Sequence, residues 1–276
     1  GGVNITEQKF ISRNDVLVDI ITADKDVEIL FEGESFSCRW DVPGFDGDDP
    51  SLPMNQGNSS TVTFKREDNA IHLVEDGEIY TKPRWKHPAI VGKTMYTGLN
   101  FVLTSDAELQ EPDIRTDKKR GNVLFSFRLK IPAGKAVTLT YSVADTYQDA
   151  IARARGVLKD PGEKMEEKAA HMNALLNEQI PYFRCSDALA VKTYYYLWSL
   201  YFMYFHDVGE GYLKYPHTQT AINNFMGLHL WDSWAYTQAG SWVADKWAYG
   251  HGNILSWQAM VPFKDRNNMM PDNFGK

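Results

Sequence analysis

One acidic residue stands among aromatic residues where a polar stretch gives way to a predicted helix. Asp232 lies between Trp231 and Trp234, and apolar residues at helical spacing follow it. Packing a carboxyl group against indole rings removes water and raises its pKa, which suits a proton donor. The alternative is that Asp232 or Ser233 caps the helix by accepting hydrogen bonds from its first free backbone amides. These residues alone leave both interpretations open.

The aromatic residues are concentrated in the last third of the chain. Of 36 Phe, Trp and Tyr residues, 22 lie between positions 182 and 276, and six of the eight tryptophans are among them. Two explanations compete, because aromatic rings fill wide helical cores and also line pockets that stack on sugar rings. We expect some of these aromatic rings to fill a helical core and others to line a pocket.

Several residues near Asp232 are of the kinds that bond sugar hydroxyls or stack on sugar rings. Those predicted to contact a substrate are Trp231, Trp234, His229, Glu210, Asn253, Trp257, Gln258 and Asp272. Simpler explanations exist for some of them. His229 is equally well explained as a structural histidine, and Glu210 as a solvated loop residue. Helix capping explains Asn253, and an exposed turn explains Asp272.

The composition of the chain argues against some classes of binding partner. The 276-residue chain has a net charge of -7 and a pI near 5.5, which argues against nucleic-acid and anionic-membrane surfaces. It has no apolar run of about 18 residues that would span a membrane. No cofactor is predicted. A structural calcium ion in the acidic loop 41–50 is the exception considered, although a solvated loop is the better explanation.

The elements that must position Asp232 fall into three segments. Residues 1–143 contain short β-rich runs with alternating polarity and turn residues between them, which predicts an antiparallel β-sandwich. Residues 144–180 have helical periodicity with a break at Asp160-Pro161-Gly162 and form a predicted helical linker. Residues 181–276 contain aromatic helices, predicted over 188–205, 232–249 and 253–263, separated by polar loops. The helix over 188–205 is apolar nearly all round, so it should be buried.

The alternation of core-type helices and polar loops stops at Lys276 without a polar outer helix. Helical arrays need their ends covered or closed into a ring. We therefore expect the chain to be a fragment whose partner is the remainder of its own polypeptide beyond residue 276.

The order of sandwich, helical linker, aromatic helices and Trp231-Asp232-Ser233 at a helix start resembles the six-hairpin glycosidases. The resemblance is greatest to glycoside hydrolase family 63, which includes bacterial α-glucosidase-like enzymes, with the family 37 trehalases related. It implies a β plus α fold in which the β-sandwich precedes the first hairpins of an (α/α)6 toroid. Trehalases carry an arginine- and glutamate-containing lead-in before the motif, where this chain has Asn223-Asn224-Phe225-Met226-Gly227.

The resemblance implies an inverting, exo-acting α-glucosidase-like hydrolase of oligosaccharides or glycosides, with Asp232 as the general acid. The general base of the group is a glutamate beyond residue 276, so the isolated chain should be inactive. The segment 258–272 resembles the stretch that closes the sugar pocket. The compartment is open between a bacterial periplasmic or secreted enzyme and a cytoplasmic one.

Two other functions remain as alternatives. A non-catalytic sugar-binding protein would keep the aromatic residues and dispense with Asp232. A sugar isomerase or epimerase on an (α/α)6 barrel would use histidines within the helical cavity. The available histidines are His206, His217, His229 and His251, and their spacing in the sequence predicts no pair.

Overall fold

The computed structural model describes residues 2–35, 59–76, 78–80, 94–96, 99–117, 122–207, 214–218, 228–260 and 273–274. The chain divides into two compact units. Unit 1 comprises Gly1–Trp85 and Ile90–Lys168, and unit 2 comprises Lys86–Ala89 and Ala169–Lys276.

Unit 1 is built from short strands, as the alternating sequence predicts. The strands are β1 (Ile5–Ile11), β2 (Leu17–Ala23), β3 (Val27–Glu34), β4 (Ser59–Lys65), β5 (Ala70–Asp76), β6 (Glu78–Tyr80), β7 (Thr94–Tyr96), β8 (Leu99–Ser105), β9 (Gln110–Asp117), β10 (Asn122–Ile131) and β11 (Ala136–Ala144). A six-stranded sheet has the order β1-β2-β11-β8-β5-β4, and a three-stranded sheet has the order β3-β10-β9. The strand pairs are antiparallel.

The two sheets enclose the main core of unit 1. Phe127, Leu129 and Ile131 alternate along β10, and all three are buried in one cluster with residues of the six-stranded sheet such as Ile21 and Leu139. Alternation with period two places every second side chain on the same face of a strand. The predicted antiparallel sandwich is therefore confirmed over the described residues.

The outer face of the six-stranded sheet is covered by helix α1 (Tyr147–Leu158). Its residue Val157 packs in a cluster with Val16 and Val18 of the sheet. The Thr146 hydroxyl caps the helix by accepting a hydrogen bond from the Asp149 amide at 3.2 Å. The first helix of the predicted linker is thus part of the sandwich unit.

Helix α2 (Pro161–Ala174) continues into a π-helical turn, Leu175–Gln179. The remaining elements are helices α3 (Ala188–Met203), α4 (Leu230–Gly240), α5 (Lys246–Tyr249) and α6 (Gly252–Met260), and the two-residue strands β12 (Phe205–His206), β13 (His217–Thr218), β14 (Leu228–His229) and β15 (Asn273–Phe274). None of the described helices is both long enough and apolar enough to cross a membrane.

Helix α3 departs from the prediction of a buried helix. Tyr201 and Phe202 are buried, whereas Leu189, Leu197 and Met203 are exposed. The buried side packs against aromatic rings of later elements: Tyr201 lies 6.2 Å from Tyr236, between ring centroids. Within the described part of unit 2, packing therefore covers one side of the helix and leaves the opposite apolar side open.

The helix predicted over 232–249 is two helices. Helix α4 ends at Gly240, which lies close to the backbone of Gly250. A Cβ added to Gly240 would lie only 2.6 Å from the Gly250 Cα. The chain then turns, and the Ala244 amide donates to the Gln179 carbonyl at 2.7 Å. The side chain of Asp245 starts α5 by accepting a hydrogen bond from the Ala248 amide. Helical periodicity did not reveal this break because it arises from contacts with a distant segment.

Asp19 in β2 is a destabilising feature of the sandwich. Its side chain is 13% exposed, and Oδ1 has no hydrogen-bond partner among the described residues. Lys9 Nζ lies 3.5 Å from Oδ2 but only 2.6 Å from the Glu7 carboxylate. Burial raises the pKa of Asp19 to about 6, and the neighbouring Glu7 contributes to the rise.

Asp19→Asn should therefore stabilise unit 1 at pH 7 by about 1 kcal/mol, after allowance for solvent screening. The pKa in the folded state is above that in the unfolded state, so the ionisation penalty develops as the pH rises from about 4 to 6. Urea unfolding at pH 4 and pH 7 measures the change in the free energy of unfolding that Asp19→Asn causes. The gain should vanish at pH 4, and Asp145→Asn, which removes an exposed carboxylate of the same unit, is the control. Equal gains at both pH values would contradict the assignment.

Candidate functional site

The motif that carries Asp232 lies at the beginning of α4. Because this helix starts at Leu230, Trp231, Asp232 and Ser233 all lie within its first turn. A capping side chain comes from the residue before the helix, which is His229. Asp232 and Ser233 therefore lie inside the first turn rather than at the capping position, and the side chain of Ser233 is buried. A carboxylate in the first turn is nevertheless stabilised by the helix dipole.

The strand before α4 brings a distant segment back to the motif. In the antiparallel pair of β14 and β15, Leu228 lies opposite Phe274 and His229 lies opposite Asn273. Asn273 directly follows the segment 258–272 that is predicted to close a pocket. Asn273 therefore lies beside His229, the residue directly before α4, although more than 40 residues separate the two in the sequence.

A second pair of short strands lies on α6. Asn253 Oδ1 accepts a hydrogen bond from the Thr218 amide at 2.9 Å, and the Ser256 hydroxyl donates to the Tyr215 carbonyl at 3.1 Å. A Cβ on Gly252 would overlap the carbonyl oxygen of Pro216. The start of α6 and the segment 214–218 are thus in direct backbone contact, and this contact requires glycine.

The same strand pair brings two histidines together. His206 lies opposite His217 in the β12–β13 pair, with the ring centroids 6.2 Å apart. The expectation that the histidines form no pair is therefore wrong, because the pairing depends on a turn that the spacing does not reveal. His217 is 3% exposed, and burial lowers its pKa, so it is neutral at pH 7. The Tyr215 carbonyl, 3.3 Å from Nδ1, raises the pKa of His217, but its effect is smaller than that of burial.

The residues predicted to contact a substrate have different environments. Trp257 is 6% exposed and belongs to the core of unit 2, so it offers no face for stacking on a sugar. Trp234 is 67% exposed, which makes it accessible but unable to exclude much water from Asp232. Gln258 is exposed. Asn253 is buried in the first turn of α6, and its Oδ1 accepts the hydrogen bond from the Thr218 amide.

The other predicted contacts are described only in part or not at all. Trp231, Asp232 and His229 have backbone positions, while their side chains fall outside what the structure describes. Glu210, Asp272 and the acidic loop 41–50 lie outside the described residues. Within the described ranges, no group of three His, Cys, Asp or Glu residues is arranged to hold a metal ion.

Sequence reasoning missed the polar residues that shape this part of unit 2. Thr218 and Ser256 bind distant segments through their backbone or side chain, and Tyr201 Oη donates to the Tyr249 carbonyl. One signal was present: Gly252 and Asn253 are a small and a polar residue at the start of an apolar helix. Such residues inside an apolar pattern indicate close backbone approach or a buried hydrogen bond.

The Gly252 contact can be tested with a matched pair of glycines. Gly252→Ala should destabilise unit 2 by about 3 kcal/mol or more, because the new methyl group overlaps backbone rather than a movable side chain. Gly156→Ala in α1 is the control, since a Cβ there meets nothing within 4 Å. It should stabilise by about 0.5–1 kcal/mol. Thermal and urea unfolding measure both changes, and equal effects would rule out the close contact.

Buried, neutral His217 predicts a loss of stability in acid. Its pKa is lower in the folded state than in the unfolded state, so stability is complete above pH 6.5 and falls below that pH. For one histidine the slope cannot exceed about 1.4 kcal/mol per pH unit, the limit for the uptake of a single proton. Urea unfolding between pH 5 and 8 measures it, and His217→Gln should remove this component. His251→Gln, which removes a histidine outside the strand pair, is the control. A slope unchanged by His217→Gln would exclude His217 as its source.

No protein-family model matches the chain, and no curated protein matches it. Solved structures that it resembles include a family GH92 alpha-mannosidase from Bacteroides thetaiotaomicron, at 14% identity and a TM-score of 0.48, over 98% of this chain and 35% of that chain. A family GH92 inverting mannosidase from Bacteroides thetaiotaomicron VPI-5482 has 10% identity and a TM-score of 0.42, over 78% and 28%. A candidate kojibiose phosphorylase from the human microbiome has 12% identity and a TM-score of 0.42, over 75% and 26%.

The chain thus spans about a third or less of the length of these solved chains. Two of the three are mannosidases of family GH92, and the third is described as a phosphorylase. None of the three is described as a member of family 63 or family 37, so the resemblance to those two families stays a prediction. At such identities and TM-scores the likeness assigns neither a substrate nor a mechanism to this chain.

Proposed function

We propose that this chain carries the acid-bearing part of an inverting glycoside hydrolase that removes terminal α-glucosyl residues, with Asp232 as the general acid. The observation that supports it is the pairing of β14 with β15 directly before the first turn of α4. This pairing brings the segment after α6 back beside the Trp231-Asp232-Ser233 motif. A carboxyl group at such a meeting point of two distant segments is suited to face a bound substrate.

In this proposal, Asp232 protonates the leaving oxygen while a second carboxylate activates water on the opposite face of the sugar. In inverting enzymes the two carboxyl groups stand about 6.5–9.5 Å apart, which leaves room for that water. The second carboxylate is proposed to be a glutamate beyond residue 276. The isolated chain is accordingly proposed to be inactive.

The acid role places a requirement on the surroundings of Asp232. A first-turn carboxyl is stabilised as the anion by the helix dipole, which opposes proton donation. With Trp234 67% exposed, that indole contributes little desolvation before substrate binds. We propose that the bound sugar and the second carboxylate raise the pKa of Asp232, the first by excluding water and the second by repulsion between like charges.

Unit 2 also presents the kind of surface that further helices of a toroid would cover. Leu189, Leu197 and Met203 of α3 are exposed, as are Trp247 of α5 and Trp242, which precedes that helix. Large exposed apolar residues grouped on one unit mark interaction sites rather than ordinary surface. This supports the proposal that the remainder of the polypeptide packs on unit 2 and supplies the general base.

An isomerase or epimerase is the second candidate, because the β12–β13 pair brings His206 and His217 together. Such enzymes use a histidine to move a proton at a sugar carbon. The burial of His217 at 3% exposure keeps that ring from a substrate, so the hydrolase is preferred.

The acid role can be tested with leaving groups of different basicity, in a polypeptide that carries this chain with its general base. For aryl α-glucosides with poor leaving groups, Asp232→Asn should lower kcat by about 10²–10⁴-fold, the usual contribution of a general acid. For 2,4-dinitrophenyl α-glucoside the loss should be small, because that leaving group needs no proton. Aryl α-mannosides tested in parallel define the sugar preference.

Glu178→Gln is the matched control, since it removes an exposed carboxylate of unit 2 and should leave kcat unchanged. An equal loss for good and poor leaving groups would show that Asp232 is not the proton donor. If the unsubstituted polypeptide and Asp232→Asn both bind sugar and neither hydrolyses it, the result would favour the non-catalytic sugar-binding protein.

A further inference from the structure

Unit 1 contains a cleft where its two sheets separate at one edge. It lies between β4, the edge strand of the six-stranded sheet, and β9, the edge strand of the three-stranded sheet. The turn Arg66–Asp68 after β4 and the connection from β8 to β9 form its sides. We call it the sandwich cleft. Its volume of about 630 Å³ lies in the range of ligand pockets, about 300–1,000 Å³.

The walls of the sandwich cleft are fixed by hydrogen bonds of Asn69. Its Nδ2 donates to the Ala107 carbonyl at 2.7 Å and to the Ser105 carbonyl at 3.3 Å, while its Oδ1 accepts from the Leu109 amide at 2.9 Å. One side chain thereby holds the connection between β8 and β9 against the turn after β4. A cleft held in shape before a ligand arrives loses less conformational entropy on binding.

A bulge in β9 shapes the rim. Asp113 and Gln110 of β9 lie opposite Ser126 and Arg128 of β10, so β9 has one residue more than its partner in this interval. The interval contains Pro112, which has no amide to donate, and Glu111, whose φ is +48°. A left-handed conformation in a residue other than glycine costs about 1–3 kcal/mol, and such strain concentrates at binding sites. Bulges redirect side chains next to such sites.

Four polar side chains at the sandwich cleft are free for a ligand. Glu111 is paired with Arg128 at 3.1 Å. By contrast, Arg66, Glu108, Gln110 and Lys130 line the cleft and have no side-chain partner in the described part of the chain. Phe64, which is half-buried, and Pro112 add apolar surface. Unpaired polar groups beside an aromatic ring are the arrangement of a binding site rather than of a packed edge.

We infer that the sandwich cleft binds a neutral saccharide, at a site separate from Asp232. A guanidinium, a carboxylate and an amide each present two donors or acceptors in a plane and can bond adjacent sugar hydroxyls. Phe64, which is half-buried against the core, adds aromatic surface that can contact the apolar face of a sugar ring. The lining carries the cations Arg66 and Lys130 and the acids Asp106, Glu108 and Glu111, and Glu111 is neutralised by its ion pair with Arg128. The remaining charges balance, so the cleft favours neither anions nor cations.

The test is an NMR titration of the ¹⁵N-labelled 276-residue chain in the Asp232→Asn background, which separates this site from the proposed active site. The probes are maltotriose, mannotriose and cellotriose, with trigalacturonate and inorganic phosphate as anionic comparisons. At least one neutral trisaccharide should shift the amides of 106–112, with a roughly millimolar dissociation constant, as expected of a cleft with few buried contacts. Arg66→Ala and Glu108→Gln should each weaken binding about fivefold or more, the effect of losing one hydrogen bond.

Lys135→Ala and Glu32→Gln are the matched controls, because both remove exposed charges of unit 1 away from the cleft. They should leave the dissociation constant within about twofold, as expected of surface residues that make no contact with the ligand. Circular dichroism verifies that every variant is folded. Shifts caused only by the anionic probes, shifts confined to unit 2, or equal effects of cleft and control variants would each overturn the proposal.

Discussion

The arrangement of unit 2 depends on a contact that only glycine permits. The start of α6 lies against the carbonyl of Pro216, and Gly252 has no Cβ to prevent it. This approach lets Asn253 reach the Thr218 amide, which holds the β12–β13 pair on the helix. Gly240 and Gly250 form a second close approach, with the Tyr201 hydroxyl beside them. Much apolar surface in this unit is exposed. These few backbone contacts therefore contribute more to fixing its arrangement than they would in a fully packed core.

The candidate site is assembled by very short strands. The β14–β15 pair joins residues 229 and 273, and the β12–β13 pair joins residues 206 and 217. Each pair consists of two residues on each strand, so the strands by themselves contribute little stability. The first turn of α4 is therefore positioned by tertiary contacts on one side and by helix propensity on the other.

Unit 1 contrasts with unit 2 because it has a continuous core between two sheets. This core tolerates local costs, such as the poorly solvated carboxyl of Asp19 and the left-handed backbone of Glu111. Asp19 lies on β2, which is paired on both sides, and Glu111 lies on the edge strand β9. In both places the surrounding packing and hydrogen bonds hold the strand despite the local cost. The same rigidity gives the sandwich cleft its fixed walls through the three hydrogen bonds of Asn69.

The sequence by itself determined the class of most elements, because alternation and helical periodicity are local properties. It predicted the sandwich, α1 and the start of α3, where Asp187 accepts hydrogen bonds from two amides as expected of a cap. Only the tertiary structure decided the break after Gly240, the pairing of His206 with His217, the burial of Trp257 and the exposure of Trp234. These depend on which distant segments meet. No local pattern of residue types encodes that, so the environment of the Asp232 motif was beyond prediction from sequence.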